Sequence, residues 1–228
     1  QVLSHEYDAI HQRCIVFIDR RYWIISDSLR APTQHDYTLN FQLGAHAQGK
    51  ADLSHHGLRL HSPGLLIAQP ACAAIKNTLA AGWVSPRYGE KHPAPAWRSS
   101  IYKTCDADFD TILLPWRGLE PSVRLDEVAV GSAGTNEAAP KALRITLQLD
   151  GEQFTDCWFH VRNHEIQNWR IGEFEFTGRW VYWREAADGR VLYATSHADA
   201  FLLDTRHGRK FPVTLELSKP LSAEPSHA

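Results

Sequence analysis

Methionine is missing altogether from the 228-residue chain. A natural reading frame starts with one, so the sequence is expected to be a mature form or a piece of a longer protein. No signal peptide is visible at Gln1. No run of about 18 apolar residues occurs, which excludes a membrane-spanning helix. Charge of one sign is also lacking: 24 Lys and Arg stand against 26 Asp and Glu, for a formal net charge of −2. Without a basic block, neutralising a nucleic-acid backbone is not the main business of this chain. CxxC pairs are absent, and Cys14, Cys72, Cys105 and Cys157 stand alone with no zinc-site spacing. They either form two disulfides in an oxidising compartment or, the reading we favour for most of them, sit reduced in strands as small apolar groups. GxSxG, HExxH, P-loop and GxGxxG patterns do not occur, so no catalytic residue is assigned from a motif. Composition is otherwise that of a folded protein, 43% hydrophobic and 22% charged, which excludes disorder.

Helical periodicity is the next absence, since no window carries an i, i+3, i+4, i+7 stripe over three turns. Short β-branched and aromatic runs take its place. Residues 13–19 and 22–26 flank Asp19-Arg20-Arg21 and read as an antiparallel hairpin. Residues 35–43 alternate, with Tyr37, Leu39, Phe41 and Leu43 on one face and Asp36, Thr38, Asn40 and Gln42 on the other. Ser62-Pro63-Gly64, Asp150-Gly151 and Asp188-Gly189 mark further turns. The pattern predicts an all-β chain, an antiparallel two-sheet β-sandwich in preference to a barrel, with little or no helix. Residues 1–217 are expected to form one domain, and 218–228 a flexible tail. Residues 70–81 fit either one short helix or a strand pair. Residues 131–140 fit either a long hairpin tip or a linker between strand groups.

Thirteen His invite a metal reading, densest at His55, His56 and His61. His160 and His164 have i, i+4 spacing, but no helix is predicted there, and on a strand they stand about 13 Å apart. No Asp or Glu occupies a convincing third-ligand position, so these His read as surface or hydrogen-bonded groups, and no metal or cofactor is expected. Eight Trp are the second unusual feature. Aromatic rings on an exposed sheet face stack on sugars, whereas in a core they bury large areas. Trp23, Trp158 and Trp180 are assigned to the core, Trp97 and Trp116 fit either role, and Trp169, among polar neighbours, reads as exposed. The most distinctive stretch is residues 82–95, with three prolines and two glycines in fourteen positions. It is predicted to be a stiff, extended loop. It carries Trp83, Arg87, Tyr88 and Lys91, a set suited to an anionic carbohydrate: cations for a carboxylate or sulfate, rings for the sugar. Packing against a neighbouring domain is the alternative.

Glu6-Tyr7, His11-Gln12-Arg13, Tyr22 to Asp27, Leu29, His35 to Leu39 and Phe41-Gln42-Leu43 together resemble the H-x-R … w-i-v-x-D-x-l … H-x-y … f-H-l pattern of the heparinase II/III-like polysaccharide lyases. The loop Trp83 to Pro95 is similar to one found in many bacterial members. The resemblance covers about the first half of the chain. It implies a C-terminal β-sandwich whose parent carries an N-terminal (α/α) toroid. The parent would cleave a uronic-acid polysaccharide such as heparan sulfate or alginate by β-elimination. The family's Tyr and Asn lie in the toroid and its catalytic and metal-site His earlier in the sheet region, so the chain alone is expected to be inactive. Its role would be to bind or position the anionic polysaccharide through Trp83, Arg87, Tyr88, Lys91, His11 and Arg13. A non-catalytic carbohydrate-binding or domain-docking module is the alternative. Asp27 is expected to orient its neighbours, with His11 and Arg13 pairing across strands. Gln42 stands where relatives often have His, and it cannot exchange a proton at neutral pH. A periplasmic, cell-envelope or secreted setting is implied by the resemblance alone.

Overall fold

Alternation of apolar and polar residues puts most of the described chain into antiparallel strands. The computed structural model describes residues 2–3, 8–132, 141–161, 167–196, 201–206 and 208–212. The first sheet contains β1 (Val2–Leu3), β2 (Ile10–Ile18), β3 (Tyr22–Gln42), β4 (Asp52–Ser54), β5 (Arg59–Ser62), β6 (Leu65–Ala68) and β7 (Lys76–Ala80). After a two-stranded ribbon of β8 (Trp83–Val84) and β9 (His92–Pro93), β10 (Ala96–Pro115) returns to that sheet. Its order is β1-β2-β3-β10-β6-β5-β4, with β7 also paired to β10. The remaining strands are β11 (Ser122–Ser132), β12 (Lys141–Leu149), β13 (Glu152–His160), β14 (Gln167–Ile171), β15 (Phe174–Gly178), β16 (Trp180–Ala186), β17 (Val191–Ser196), β18 (Phe201–Asp204) and β19 (Arg209–Pro212). They form a nine-stranded sheet in the order β17-β16-β13-β12-β11-β14-β15-β18-β19.

This is the all-β, sandwich-like antiparallel fold that the sequence pattern predicts. Among the described residues the only helical turn is a 3-10 segment, Ala45–Ala47. Two compact units can be distinguished: Gln1–Val128 with Leu143–Asp156, and Ala129–Ala142 with Cys157–Ala228. The tail expected over 218–228, residues 133–140 of the expected linker, and His164 lie outside the described residues.

In the first unit the β2–β3 hairpin closes where Asp19 and Arg20 take left-handed φ of 47° and 58° and Arg21 N–H donates to Ile18 O at 2.8 Å. β3 is one 21-residue strand, so residues 22–26 and 35–43 belong to a single element. It pairs with β10 over almost its whole length, with register shifts between Ile101 and Asp106. Tyr37, Leu39, Ile101, Ala107 and Phe109 form one apolar cluster, and Leu43, Ala47, Leu60, Ile67 and Trp97 a second. Tyr22, fully buried, donates its hydroxyl to the buried Asp156 carboxylate. The stretch 70–81 resolves in favour of strand, since Lys76–Ala80 pairs with β10.

In the second unit the core is aromatic. Phe159 packs on Trp169 at 5.1 Å and on Phe176 at 5.6 Å, and Phe174 on Trp183 at 4.7 Å. Trp169, read from its polar neighbours as exposed, is buried, and its indole N–H donates to Gly178 O at 2.9 Å. Its polar neighbours Asn168 and Arg170 occupy the other face of the same strand, as period two requires. Trp158 and Trp97 are buried, whereas Trp23 and Trp180 are only half-buried. Cys14, Cys72 and Cys105 are half-buried free thiols, and Cys157 is buried.

Candidate functional site

The stretch 82–95 is not an open loop but a hairpin on a fixed base. Val84 pairs with His92 and Trp83 with Pro93, which removes a ladder N–H where a proline is tolerated, at a short exposed edge. The base is tied to β3. Leu43 N–H donates to Pro95 O at 3.0 Å, and Ala94 N–H to Gly82 O at 2.9 Å. The Gln42 amide nitrogen lies 3.2, 3.3 and 3.1 Å from the carbonyls of Leu43, Ala94 and Pro95. Gln42 is therefore the donor that secures the ribbon. Gly82 is needed at that point, because a Cβ there would lie 2.9 Å from Ala94 O and 3.1 Å from the Gln42 amide oxygen.

From this base the tip projects its side chains into solvent. Tyr88 is fully exposed and Arg87 retains 82% of its side-chain surface. Within the tip, Ser85 Oγ donates to Arg87 O at 2.8 Å, and Glu90 N–H to the same carbonyl at 3.1 Å. Lys91 Nζ stands 4.5 Å from the centre of the exposed Trp83 ring, a cation–π contact that holds both groups in place. Glu90 lies 3.9 Å from Arg87 and 3.6 Å from His92, exposed pairs that water screens heavily. The ribbon thus sets Lys91 on Trp83 and carries Arg87 and Tyr88 at its exposed tip. An indole braced by an ammonium, with a guanidinium and a phenol beyond it, can take an anionic group and a sugar face together.

His11 and Arg13 lie elsewhere, on β2. Arg13 is opposite Asp27 in the hairpin register. The Asp27 carboxylate is fully buried. It accepts from Arg13 Nε at 2.7 Å and Nη2 at 3.2 Å, and His11 Nε2 lies 2.5 Å from its Oδ1. An imidazole and a guanidinium, each more than a third exposed, are held by one desolvated carboxylate. Along the same face the hairpin exposes Ile15 and Phe17, with the Phe17 ring stacked on Trp23 at 4.4 Å and 9°. The opposite face carries a row of polar groups that sequence reading missed: Cys14, Ser26 and Asp110, register partners across β2, β3 and β10. Burial pushes the Asp110 carboxyl up to about 6, against a hydrogen bond with Ser26 that lowers it, while Glu127 and Asp27 add like charge. Burial, then the nearby Asp110 charge, push the Cys14 thiol up. Nothing in local sequence distinguishes Asp110 from the solvent-facing Asp106 and Asp108 beside it.

Among the described residues no three His, Cys, Asp or Glu side chains converge as metal ligands. In the densest His group, His55 Nε2 accepts from Arg59 Nη1 at 2.6 Å and His61 is bonded at both ring nitrogens.

The family described as heparinase II/III-like, C-terminal, matches residues 4–158. Among solved structures the chain is similar to heparan sulfate lyase HepC from Pedobacter heparinus, at TM-score 0.50 and 20% identity. That match covers 64% of this chain and only 23% of the lyase, and at this identity it speaks for the fold. A chondroitinase AC lyase in complex with oligosaccharides aligns at TM-score 0.41 and 11% identity, over 93% of this chain and 36% of that one. No curated protein matches the sequence.

Proposed function

Because the chain belongs to the heparinase II/III-like family, through that family's C-terminal region, we propose that it is the substrate-positioning β-domain of a polysaccharide lyase and that its ribbon holds an anionic glycan. The observation that carries this reading is the Trp83–Lys91 pair with Arg87 and Tyr88, all exposed on a hairpin whose base is anchored. β-Elimination at a uronic acid needs the C5 carboxylate neutralised, the C5 proton removed and the leaving oxygen protonated. Arg87 and Lys91 supply cations for a carboxylate or sulfate, while Trp83 and Tyr88 face the ring. His11 and Arg13, held by Asp27, offer a second cationic contact for the same polymer. The proton-transfer groups belong to the rest of the parent protein, an (α/α) toroid on this reading, in a periplasmic or cell-envelope setting.

Calorimetric titration with heparan sulfate and alginate oligosaccharides tests the proposal. Arg87→Ala and Lys91→Ala are each expected to weaken binding by about 3- to 10-fold. The chain alone should produce no ultraviolet-absorbing unsaturated uronate. An affinity unchanged in the double variant, or cleavage by the chain alone, would overturn it. The exposed Ile15 and Phe17 beside Trp23 favour a second reading, in which the β2–β3 hairpin docks another domain.

A further inference from the structure

We propose that Ser54, His61 and Glu120 form a hydrolytic triad that cleaves short acyl esters, an activity separate from polysaccharide elimination. The placement begins with the β4–β5 hairpin. Ser54 pairs with Arg59 and Asp52 with His61, so period two puts these four side chains on one face. Ser54 Oγ lies 2.7 Å from His61 Nε2, and His61 Nδ1 lies 2.5 Å from Glu120 Oε1 on the segment entering β11. A single tautomer satisfies both bonds: Nδ1–H donates to the carboxylate and Nε2 accepts the serine hydroxyl. Hydroxyl, imidazole and carboxylate thus stand in the order required of nucleophile, base and orienting acid, at hydrogen-bonding distances throughout.

A surface hydrogen-bond chain would also give these two distances, but two further features go beyond it. The residues directly after Ser54, His55 and His56, both hold left-handed φ, 50° and 57°. That conformation is uncommon outside Gly, Asn, Asp and His, and here it shapes the four-residue loop between the paired Ser54 and Arg59. The turn is closed by Gly57 N–H donating to Ser54 O at 3.0 Å. The second feature is a positive charge opposite the serine. Arg59 is the cross-strand partner of Ser54, and its Nη1 lies 2.6 Å from His55 Nε2. The Arg59 charge, with smaller effects from burial, His61 and His56, holds His55 below its ordinary pKa, so His55 is a neutral acceptor that steadies the guanidinium.

The chemistry balances without a cofactor. Ser54 Oγ bonds to the acyl carbon as its proton passes to His61 Nε2, and the carbonyl oxygen takes the electron pair. Collapse breaks the bond to the alcohol oxygen, which leaves with the proton from His61. Water, deprotonated by His61, then releases the acid and restores the serine. Ser54 and His61 are half-buried on an open hairpin face, which suits a short acyl group such as acetyl.

The test treats the full chain with a fluorophosphonate probe, maps the adduct by peptide mass spectrometry, and follows 4-nitrophenyl acetate hydrolysis. We expect an adduct on Ser54, its loss in Ser54→Ala, and labelling slowed by about tenfold or more in His61→Ala. Glu120 is a positioning residue. Glu120→Gln keeps an acceptor for Nδ1–H but removes the carboxylate charge, so kcat should fall by about tenfold with KM nearly unchanged. Circular dichroism and the denaturation midpoint of Ser54→Ala establish that the variant is folded. No adduct, an adduct that survives in folded Ser54→Ala, or an unchanged kcat in Glu120→Gln would overturn the triad. Glycan binding by the ribbon is read separately, so either proposal can fail without the other.

Discussion

Asp27 has no exposed surface, while the His11 and Arg13 side chains it holds keep 37% and 43% of theirs. Removing the carboxylate leaves an imidazole and a guanidinium without their partner and a buried space to fill. Asp27→Ala is expected to cost about 1–3 kcal/mol, read as a lowered denaturant midpoint. Asp110 behaves in the opposite sense. Its pKa is raised from the ordinary 3.8 to about 6 in the fold. Its contribution to stability is therefore complete below about 3.8 and is lost as pH rises through about 6. Asp110→Asn, which cannot ionise, should gain on the wild type across that window. We expect a gain of about 1–2 kcal/mol, because a half-buried carboxyl keeps part of its water. Urea titrations at pH 4 and pH 8 measure the change; a difference that does not grow with pH would contradict it.

For the strands and turns, amino-acid order is a good guide as long as partners are near in sequence. The alternation of residues 35–43, the turn at Asp19-Arg20 and the polar breaks at Ser62-Pro63-Gly64 and Asp150-Gly151 are all elements of the fold. The ribbon shows the limit. Its stiffness and exposed side chains were legible in residues 82–95, but its pairing was not. That pairing rests on Gln42 and Leu43, which lie forty or more positions away. Trp169 failed for a related reason: polar neighbours in sequence occupy the opposite face of its strand. Gly82→Ala tests the anchor. The added methyl must displace Ala94 O or the Gln42 amide, so exchange of the Ala94 amide hydrogen should accelerate by about tenfold or more. Unchanged protection at Ala94 would show that Gly82 is not required there.

At the scale of the whole chain, a net charge of −2 gives a polyanion no general attraction. Binding must come from cations gathered locally, and Arg87 and Lys91 are two. Affinity for heparan sulfate oligosaccharides should fall with salt along a log–log slope of about −1 to −2, steeper slopes implying further cationic contacts. Sequence alone determined that this chain is all-β, where most of its turns lie, and that residues 82–95 present Arg, Lys, Trp and Tyr, because period-two patterning and turn chemistry act between near neighbours. Tertiary structure decided which distant groups meet: Gln42 with the ribbon base, Asp110 with Cys14 and Ser26, and Ser54 and His61 with Glu120. Those meetings depend on strand register and on where each loop returns. Neither is encoded in any single window of residues, since the free energy that selects them comes from burial and hydrogen bonding across the assembled sheet.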